Sequence, residues 1–345
     1  MINNNNSKQN FITSNNFARL SDVVFTEVIS KQEYSFLQKD KIQILSEDAN
    51  QIIYITKEFQ LKENDLIFCS TDFVLFLFQF LRNTKNLHNL KLITHWSDTP
   101  INKDLYLQKP DCISEWYSSH VNFDAKDLIS IPLGLSGDYS PKNLLIRNFQ
   151  STKKIQSKNK KYLLYVNFQK NTNLDIRSQV FRTFSKLSWV KYDEPNLSLD
   201  EYLNRLQNSK FVLCPFGNGY DTHRVWEALY AGSYPVVINH KSFECTDTLP
   251  VLKVDSFDEI TEELLEETYE NYKKMNFDEN ALSSKFWVES MKRTNYKNKK
   301  TIHISISNYR ILFLKFKFFS KQKIKRYKKI YIFRARQLIK LFSLR

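Results

Sequence analysis

The chain has 345 residues, enough for two ordinary domains because a single hydrophobic core seldom grows past about 250 residues. With 42% hydrophobic, 14% aromatic and 26% charged residues it has a globular composition, which excludes a collagen-like, coiled-coil or wholly disordered chain. The net charge of +14 would suit a nucleic-acid binder, but residues 297–345 hold sixteen Lys and Arg and no Asp or Glu, and the first 296 residues hold 35 basic against 37 acidic. The body is near neutral, so a uniformly basic nucleic-acid fold is disfavoured and any polyanion is met through the C-terminal segment.

Taken in chain order, the first sixteen residues contain seven Asn and no apolar run. They read as a disordered lead-in rather than a signal peptide, and secretion is not expected. From there to about residue 150 the pattern predicts strands over 42–45, 66–69, 91–94, 112–114 and 128–131, with helices over 73–83 and 103–107 between them. The apolar run 73–81 is far short of the roughly twenty residues that span a bilayer, so it reads as a buried helix with Thr71 or Asp72 as its N-cap. Residues 142–161 are polar and basic without clear periodicity and read as a linker.

Beyond it the spacing predicts strands over 162–167, 189–192, 211–214, 234–238 and 251–254. Helices fall between them over 175–187, 199–209 and 222–231, and a further helical region covers 257–274. Strands alternating with helices indicate parallel sheets built from βαβ units. The expected division is a lead-in (1–16), a first Rossmann-like domain (17–150), a second (151–296) and a basic tail (297–345). Two such domains face each other across a cleft, and ligands sit at the carboxyl ends of the strands. Cys69, Cys112, Cys214 and Cys245 lie far apart without metal-ligand spacing, so they read as buried small apolar residues in a reducing compartment.

The segment FVLCPFGNGYDTHRVWEALYAGSYPVV, residues 211–237, is the most informative. A strand ends near Cys214, a Pro and two Gly turn the chain, and a helix begins near Asp221 or Thr222. Backbone N–H groups in such a turn, with the positive end of a helix dipole behind them, form an anion site. His223, Arg224 and Glu227 follow at i, i+1 and i+4, on one side of the helix near its start. A guanidinium clamps a diphosphate bidentately, and a carboxylate one turn on accepts from ribose hydroxyls, which suits a nucleoside diphosphate. The bland alternative is a surface helix face behind a plain glycine turn. Trp226 and Leu229 read as core.

This run resembles the C-terminal signature of exostosin-like (family 47-like) glycosyltransferases, through Pro215, Gly217, Gly219, Asp221, His223, Arg224, Trp226, Glu227, Ala228, Leu229, Gly232, Pro235 and Val236. YLLYVNFQKNTNLDIR, residues 162–177, is similar to the start of the family's donor domain, and THWSDTPI and ISIPLGL are similar to N-terminal segments of bacterial and viral members. Phe216 stands where many members carry Arg. Gly219 stands where the E-x7-E motif of other GT-B enzymes has its first Glu, which argues against that retaining group.

The resemblance implies a GT-B fold, with two Rossmann-like domains and a nucleotide sugar bound mainly by the second. It also implies an inverting transfer, in many cases from a UDP-sugar, with no catalytic metal and no cofactor. Carried over residue by residue, Arg224 is the diphosphate clamp and Glu227 the ribose carboxylate. Asn218, Gly219, Asp221 and His223 form the turn around the phosphates, with Asp221 open to a plain N-cap role. Arg177 is a second cation beside the leaving group, or a solvated helix residue, with Thr172 and Asn173 near it.

An inverting transfer needs a base for the acceptor hydroxyl. The first half offers Asp98, preferred, with Glu115 and Asp138, all just past strand candidates. The alternative reading of Asp98 is a cap for a helix opened by Pro100, and His95 reads as structural. In the tail, Ile324, Tyr327, Tyr331, Ala335, Leu338 and Phe342 recur at helical spacing beside Lys325, Arg326, Lys328, Lys329, Arg336 and Lys340. A basic amphipathic helix of this kind suits an anionic membrane surface. The expected protein is therefore a cytoplasmic, peripherally membrane-bound glycosyltransferase acting on a glycan or lipid-linked glycan. The rivals are a non-catalytic nucleotide-sugar or glycan-binding module and a nucleic-acid binder acting through the tail.

Overall fold

The structure, a computed structural model, describes residues 11–84, 87–150, 160–292 and 301–320, together with 323, 324 and 327. Two separate sheets organise it. The first has seven strands: β1 (Val23–Ser30), β2 (Ile42–Glu47), β3 (Gln51–Thr56), β5 (Leu66–Ser70), β6 (Leu90–His95), β7 (Ile113–Ser118) and β8 (Leu128–Ser130), in the order β2-β3-β1-β5-β6-β7-β8. From β1 to β8 across this order neighbours run parallel, and β2, β3 and β1 pair antiparallel as an appended edge.

The second sheet, β9 (Tyr162–Val166), β10 (Val190–Tyr192), β11 (Ser209–Leu213), β12 (Tyr234–Ile238) and β13 (Leu252–Val254), is parallel throughout in the order β10-β9-β11-β12-β13. The mixed α/β class expected from the alternating pattern is observed. The second sheet's strands lie within two residues of the predicted ones. So do the helices Leu199–Gln207, His223–Tyr230 and the start of Leu174–Phe184, which stops three residues early.

The first half differs more. β1, β3 and β4 (Glu58–Lys62) were not expected, and β7 runs four residues past the predicted strand end. β1 is buried along almost its whole length and carries Glu27 in its interior, which interrupts the apolar run that would have marked it. Glu27 accepts from Asn15 at 2.9 Å and Tyr54 at 2.5 Å, and it pairs with Arg19. A buried carboxylate persists only when so partnered, and burial nonetheless raises its pKa.

The lead-in is shorter than expected. Residues 1–10 lie outside the described residues, but Ile12 is fully buried and Thr13 caps helix Ser14–Leu20 through Asn16 N–H. The region read as a linker begins as packed structure, with Leu144 and Leu145 buried ahead of helix Ile146–Gln150.

The predicted buried helix is Val74–Arg82, entered through a 3-10 turn at Thr71–Phe73. Val74, Leu77, Phe78 and Leu81 fill its inner face at the spacing of one helix stripe. Neither Thr71 nor Asp72 caps it. The Thr71 hydroxyl donates to His95 O at 3.2 Å, and Asp72 accepts from Ser97 at 3.1 Å and Thr99 at 3.2 Å. Both side chains thereby hold the loop that follows β6.

The segment expected as a separate tail also begins inside the fold. β14 (Thr301–Ser305) pairs antiparallel with β4, from Thr301 opposite Lys62 to Ser305 opposite Glu58. The helix over 308–320 then lays Ile311, Leu314 and Phe318 into the core of the first half, with Phe318 stacked on Phe73 at 5.0 Å. Of the predicted amphipathic stripe, Ile324 and Tyr327 are described and exposed. Tyr331, Ala335, Leu338 and Phe342 lie outside the described residues. Among the described residues no helix is long and apolar enough to cross a membrane, and the four cysteines are buried and free.

Candidate active site

Loops at the carboxyl ends of both sheets enclose one cavity of about 250 Å³. His95 ends β6 and Trp96, Ser97 and Asp98 follow it, His120 follows β7, and residues between Leu133 and Asn143 follow β8. From the second half come Asn218, Gly219, Asp221, Thr222 and His223.

The turn after β11 is braced from below. Arg177, buried on helix Leu174–Phe184, donates to the backbone carbonyls of Gln169 at 2.8 Å, Phe216 at 2.8 Å and Pro215 at 3.1 Å. Asn173 adds a bond to Gly217 O at 3.3 Å. The guanidinium is neither solvated nor open to a ligand on these three bonds: it fixes the turn and leaves its charge beneath it. Burial, with Arg224 nearby, lowers its pKa to about 10, so it stays a cation at neutral pH. Thr172 is exposed and bonds Gln169 O.

Two hydrogen bonds join the halves at the cavity wall. Asp221 accepts from Leu133 N–H at 3.0 Å and from the Trp226 indole at 2.9 Å, and His223 Nδ1 lies 2.8 Å from Gly134 O. A carbonyl only accepts, so Nδ1 of His223 carries a proton and donates to Gly134 O. Helix His223–Tyr230 is preceded by Thr222, whose side chain makes no capping bond, so Asp221 is an anchor between halves rather than the N-cap. Burial pushes its carboxyl up to about 7, against the pull of Trp226 and the Leu133 and Thr222 amides.

Gly219 lies flat on His120: a Cβ there would meet the imidazole Cε1 at 2.5 Å. His120 is buried, its Nδ1 has no hydrogen-bond partner among the described residues, and burial lowers its pKa to about 3. Thr222 Oγ1 and Arg224 Nε are buried and unpartnered in the same way. Buried polar atoms in folded proteins are nearly always paired, so orphans gathered around one turn point to a polar ligand. Arg224 sits beside Tyr202 and Glu227, and Glu227 accepts from the Tyr202 hydroxyl at 2.9 Å. Burial raises the Glu227 pKa, opposed by the Arg224 charge.

Of the expected donor residues, Asn218, Gly219, Asp221 and His223 line the cavity, while Arg224, Glu227, Thr172, Asn173 and Arg177 flank or support the turn outside its lining. Of the three candidate bases, Asp98 alone lines it. Its carboxylate is exposed and without a partner among the described residues, between Ser97 and Thr99, which Asp72 holds. It caps no helix: Asn102 caps Lys103–Tyr106 by accepting from Leu105 N–H at 3.0 Å. Glu115 lies inside β7, paired with Lys91 at 3.1 Å and accepting from Tyr117 at 2.7 Å, because that strand is longer than expected. Asp138 is at the surface, 3.8 Å from Arg147. His95, read as structural, also lines the cavity and is held with Nε2 3.1 Å from Pro132 O and Nδ1 accepting from Trp96 N–H at 2.9 Å. Trp226 and Leu229 are buried.

Residues 143–260 match the model of the RXYLT1 C-terminal domain. That domain is an exostosin-family-related xylosyltransferase domain, so the match and the motif agree: the second half of the chain is similar to exostosin-like glycosyltransferases. The matched stretch contains the turn from Pro215 to Thr222 and helix His223–Tyr230, and leaves Asp98, Glu115 and Asp138 outside it. No curated protein matches the chain.

His120 was the main residue the sequence reading missed. It follows β7, and the carboxyl ends of parallel strands are where ligands sit. The signal was therefore present, displaced by a strand end placed at residue 114 rather than at Ser118. Among the described residues no group of His, Cys, Asp and Glu side chains gathers as a metal-binding cluster.

Proposed function

We propose that this protein is a GT-B glycosyltransferase that moves a sugar from a nucleotide sugar, a UDP-sugar, to a glycan hydroxyl with inversion. Its place is polysaccharide or glycoconjugate synthesis, on a glycan or lipid-linked glycan at an anionic membrane surface. The observation that carries the reading is the shared cavity, in which Asp98 from one half faces the turn from Asn218 to His223 of the other. The orphaned polar atoms of Thr222, Arg224 and His120 around that turn support it.

In this reading the diphosphate rests against the turn and the first N–H groups of helix His223–Tyr230, and Arg224 supplies the positive charge that stabilises the departing nucleoside diphosphate. No metal is assigned to that task. Glu227 accepts from Tyr202 and, with about four lone-pair sites, retains capacity for ribose hydroxyls. Asp98 takes the proton of the acceptor hydroxyl as the sugar carbon is attacked from the face opposite the leaving group, and its exposure leaves the carboxylate reachable by the acceptor. The matched domain's xylosyltransferase description makes a UDP-pentose the first donor to try beside UDP-hexoses.

The test is the thermal midpoint of the full chain with UDP, GDP, CMP or ADP, alongside Arg224→Ala, followed by transfer from UDP-xylose and UDP-glucose. A ligand that binds the folded state raises the midpoint. The expected result is a rise with UDP that is lost in the variant, with sugar transferred. A rise without transfer from any donor would favour the binding module, and no rise with any nucleotide would overturn the donor assignment.

A further inference from the structure

The helix over 308–320 is apolar on more than the face it buries. Ile311, Leu314 and Phe318 enter the core, yet Tyr309, Leu312, Phe313, Phe316 and Phe319 stand in solvent, Phe316 at 72% exposure. A helix apolar nearly all round is normally covered on every side. Single exposed apolar residues mean little, but a contiguous row of this size marks an interaction surface. A cavity of about 320 Å³ lies beside the row, lined by Phe76, Gln79, Asn83 and Arg310 together with Tyr309 and Phe313.

Charge decides what covers it. Arg310, Lys315 and Lys317 share the helix, Lys323 follows it, and residues 297–345 hold no acidic side chain. A second copy seated on this row would bring the same positive field against itself. A nucleic acid would answer the cations but leave the aliphatic and phenyl side chains between them without an apolar partner. An anionic bilayer interface answers both, taking the apolar row among its acyl chains and the cations at its headgroups.

We infer that the exposed row of the helix over 308–320, with Arg310, Lys315 and Lys317, is a docking surface for an anionic lipid bilayer. The inference deepens the membrane part of the proposed function and rests on that part alone. Because Ile311, Leu314 and Phe318 lock this helix to the first half, a docked row holds that half, and the Asp98 side of the cavity, against the membrane as one body.

The test is flotation of the full chain with phosphatidylcholine vesicles and with vesicles containing a fifth or so of phosphatidylglycerol, at low and physiological salt. The parent floats with the anionic vesicles. Leu312→Ser combined with Phe313→Ser and Phe316→Ser lowers partitioning at least about tenfold, while the UDP-induced midpoint rise and transfer to a soluble acceptor stay unchanged. Arg310→Gln with Lys315→Gln and Lys317→Gln also lowers it and removes its salt dependence. Flotation of the triple-serine variant equal to the parent's, no flotation of the parent, or dimerisation of the parent lost in that variant without vesicle binding would each overturn the inference. Flotation is read without any transfer step, so a failure of the catalytic reading leaves this result standing.

Discussion

Asp221 reaches across from the second half to accept the backbone N–H of Leu133 at 3.0 Å. The same carboxylate holds the Trp226 indole, so one side chain ties the loop after β8 to the helix that opens beside the cavity. Its burial gives this tie a pH dependence of defined sign. The native carboxyl keeps its proton up to about pH 7, whereas the unfolded one releases it near 3.8. Over that window the native state binds more protons, so the contribution of this group is fully present below about pH 4 and is lost as pH rises through 7.

Asp221→Asn is therefore expected to flatten the decline of stability between pH 4 and 7, by on the order of 3 kcal/mol across the window. His95 and His120, whose pKa values burial lowers to about 4 and about 3, act in the opposite sense, losing stability as pH falls below the ordinary histidine value. The measurement is therefore the difference between parent and variant urea midpoints at each pH, in which those histidines cancel. Parallel curves would show that Asp221 stays ionised in the fold.

Gly219→Ala is expected to destabilise the chain by about 1–3 kcal/mol, since the new methyl meets the His120 ring. His120→Ala in the same chain should recover most of that loss, because the three atoms nearest the new methyl all belong to the His120 imidazole. Thermal midpoints of the two single variants and the double variant give the coupling, and simple additivity would mean that the glycine matters for some other reason.

Among the acidic residues of the first half, Asp98→Asn is expected to lower kcat by about 10²-fold or more while leaving UDP binding intact. Glu115→Gln should retain transfer and cost stability modestly, because it leaves Lys91 without its ion-pair partner. Steady-state kinetics on both variants decides between them: loss with Glu115→Gln and not with Asp98→Asn would move the base out of the cavity.

Phe318→Ala should cost about 3–5 kcal/mol, the range for removing a buried phenyl group, since its ring is stacked on Phe73 in the core. Denaturant unfolding of the full chain checks it. A loss under 1 kcal/mol would show that the helix over 308–320 contributes little to the first half in solution.

The second half was legible because β9, β11 and β12 are short, largely apolar runs soon followed by Asn or Pro, and its strands alternate with helices along the chain. The donor turn followed from that regularity. What escaped was held by distant partners. β1 hides behind Glu27, whose burial makes sense only with Asn15, Arg19 and Tyr54 around it. Arg177 looks like a helix surface cation until the carbonyls of Gln169, Pro215 and Phe216 are brought to it. Residues 301–305 carry no local sign that Thr301 will lie opposite Lys62.

That last pairing sets an order of assembly on the ribosome. The five-stranded sheet is complete in sequence once Val254 has been made, while β4 waits for β14 and the core beside Phe73 waits for Phe318. Synthesis runs from the N-terminus, yet the half encoded first is the half finished last. Until residues 301–318 emerge it carries an unpaired strand and an open apolar face, the state in which a nascent chain depends most on chaperones.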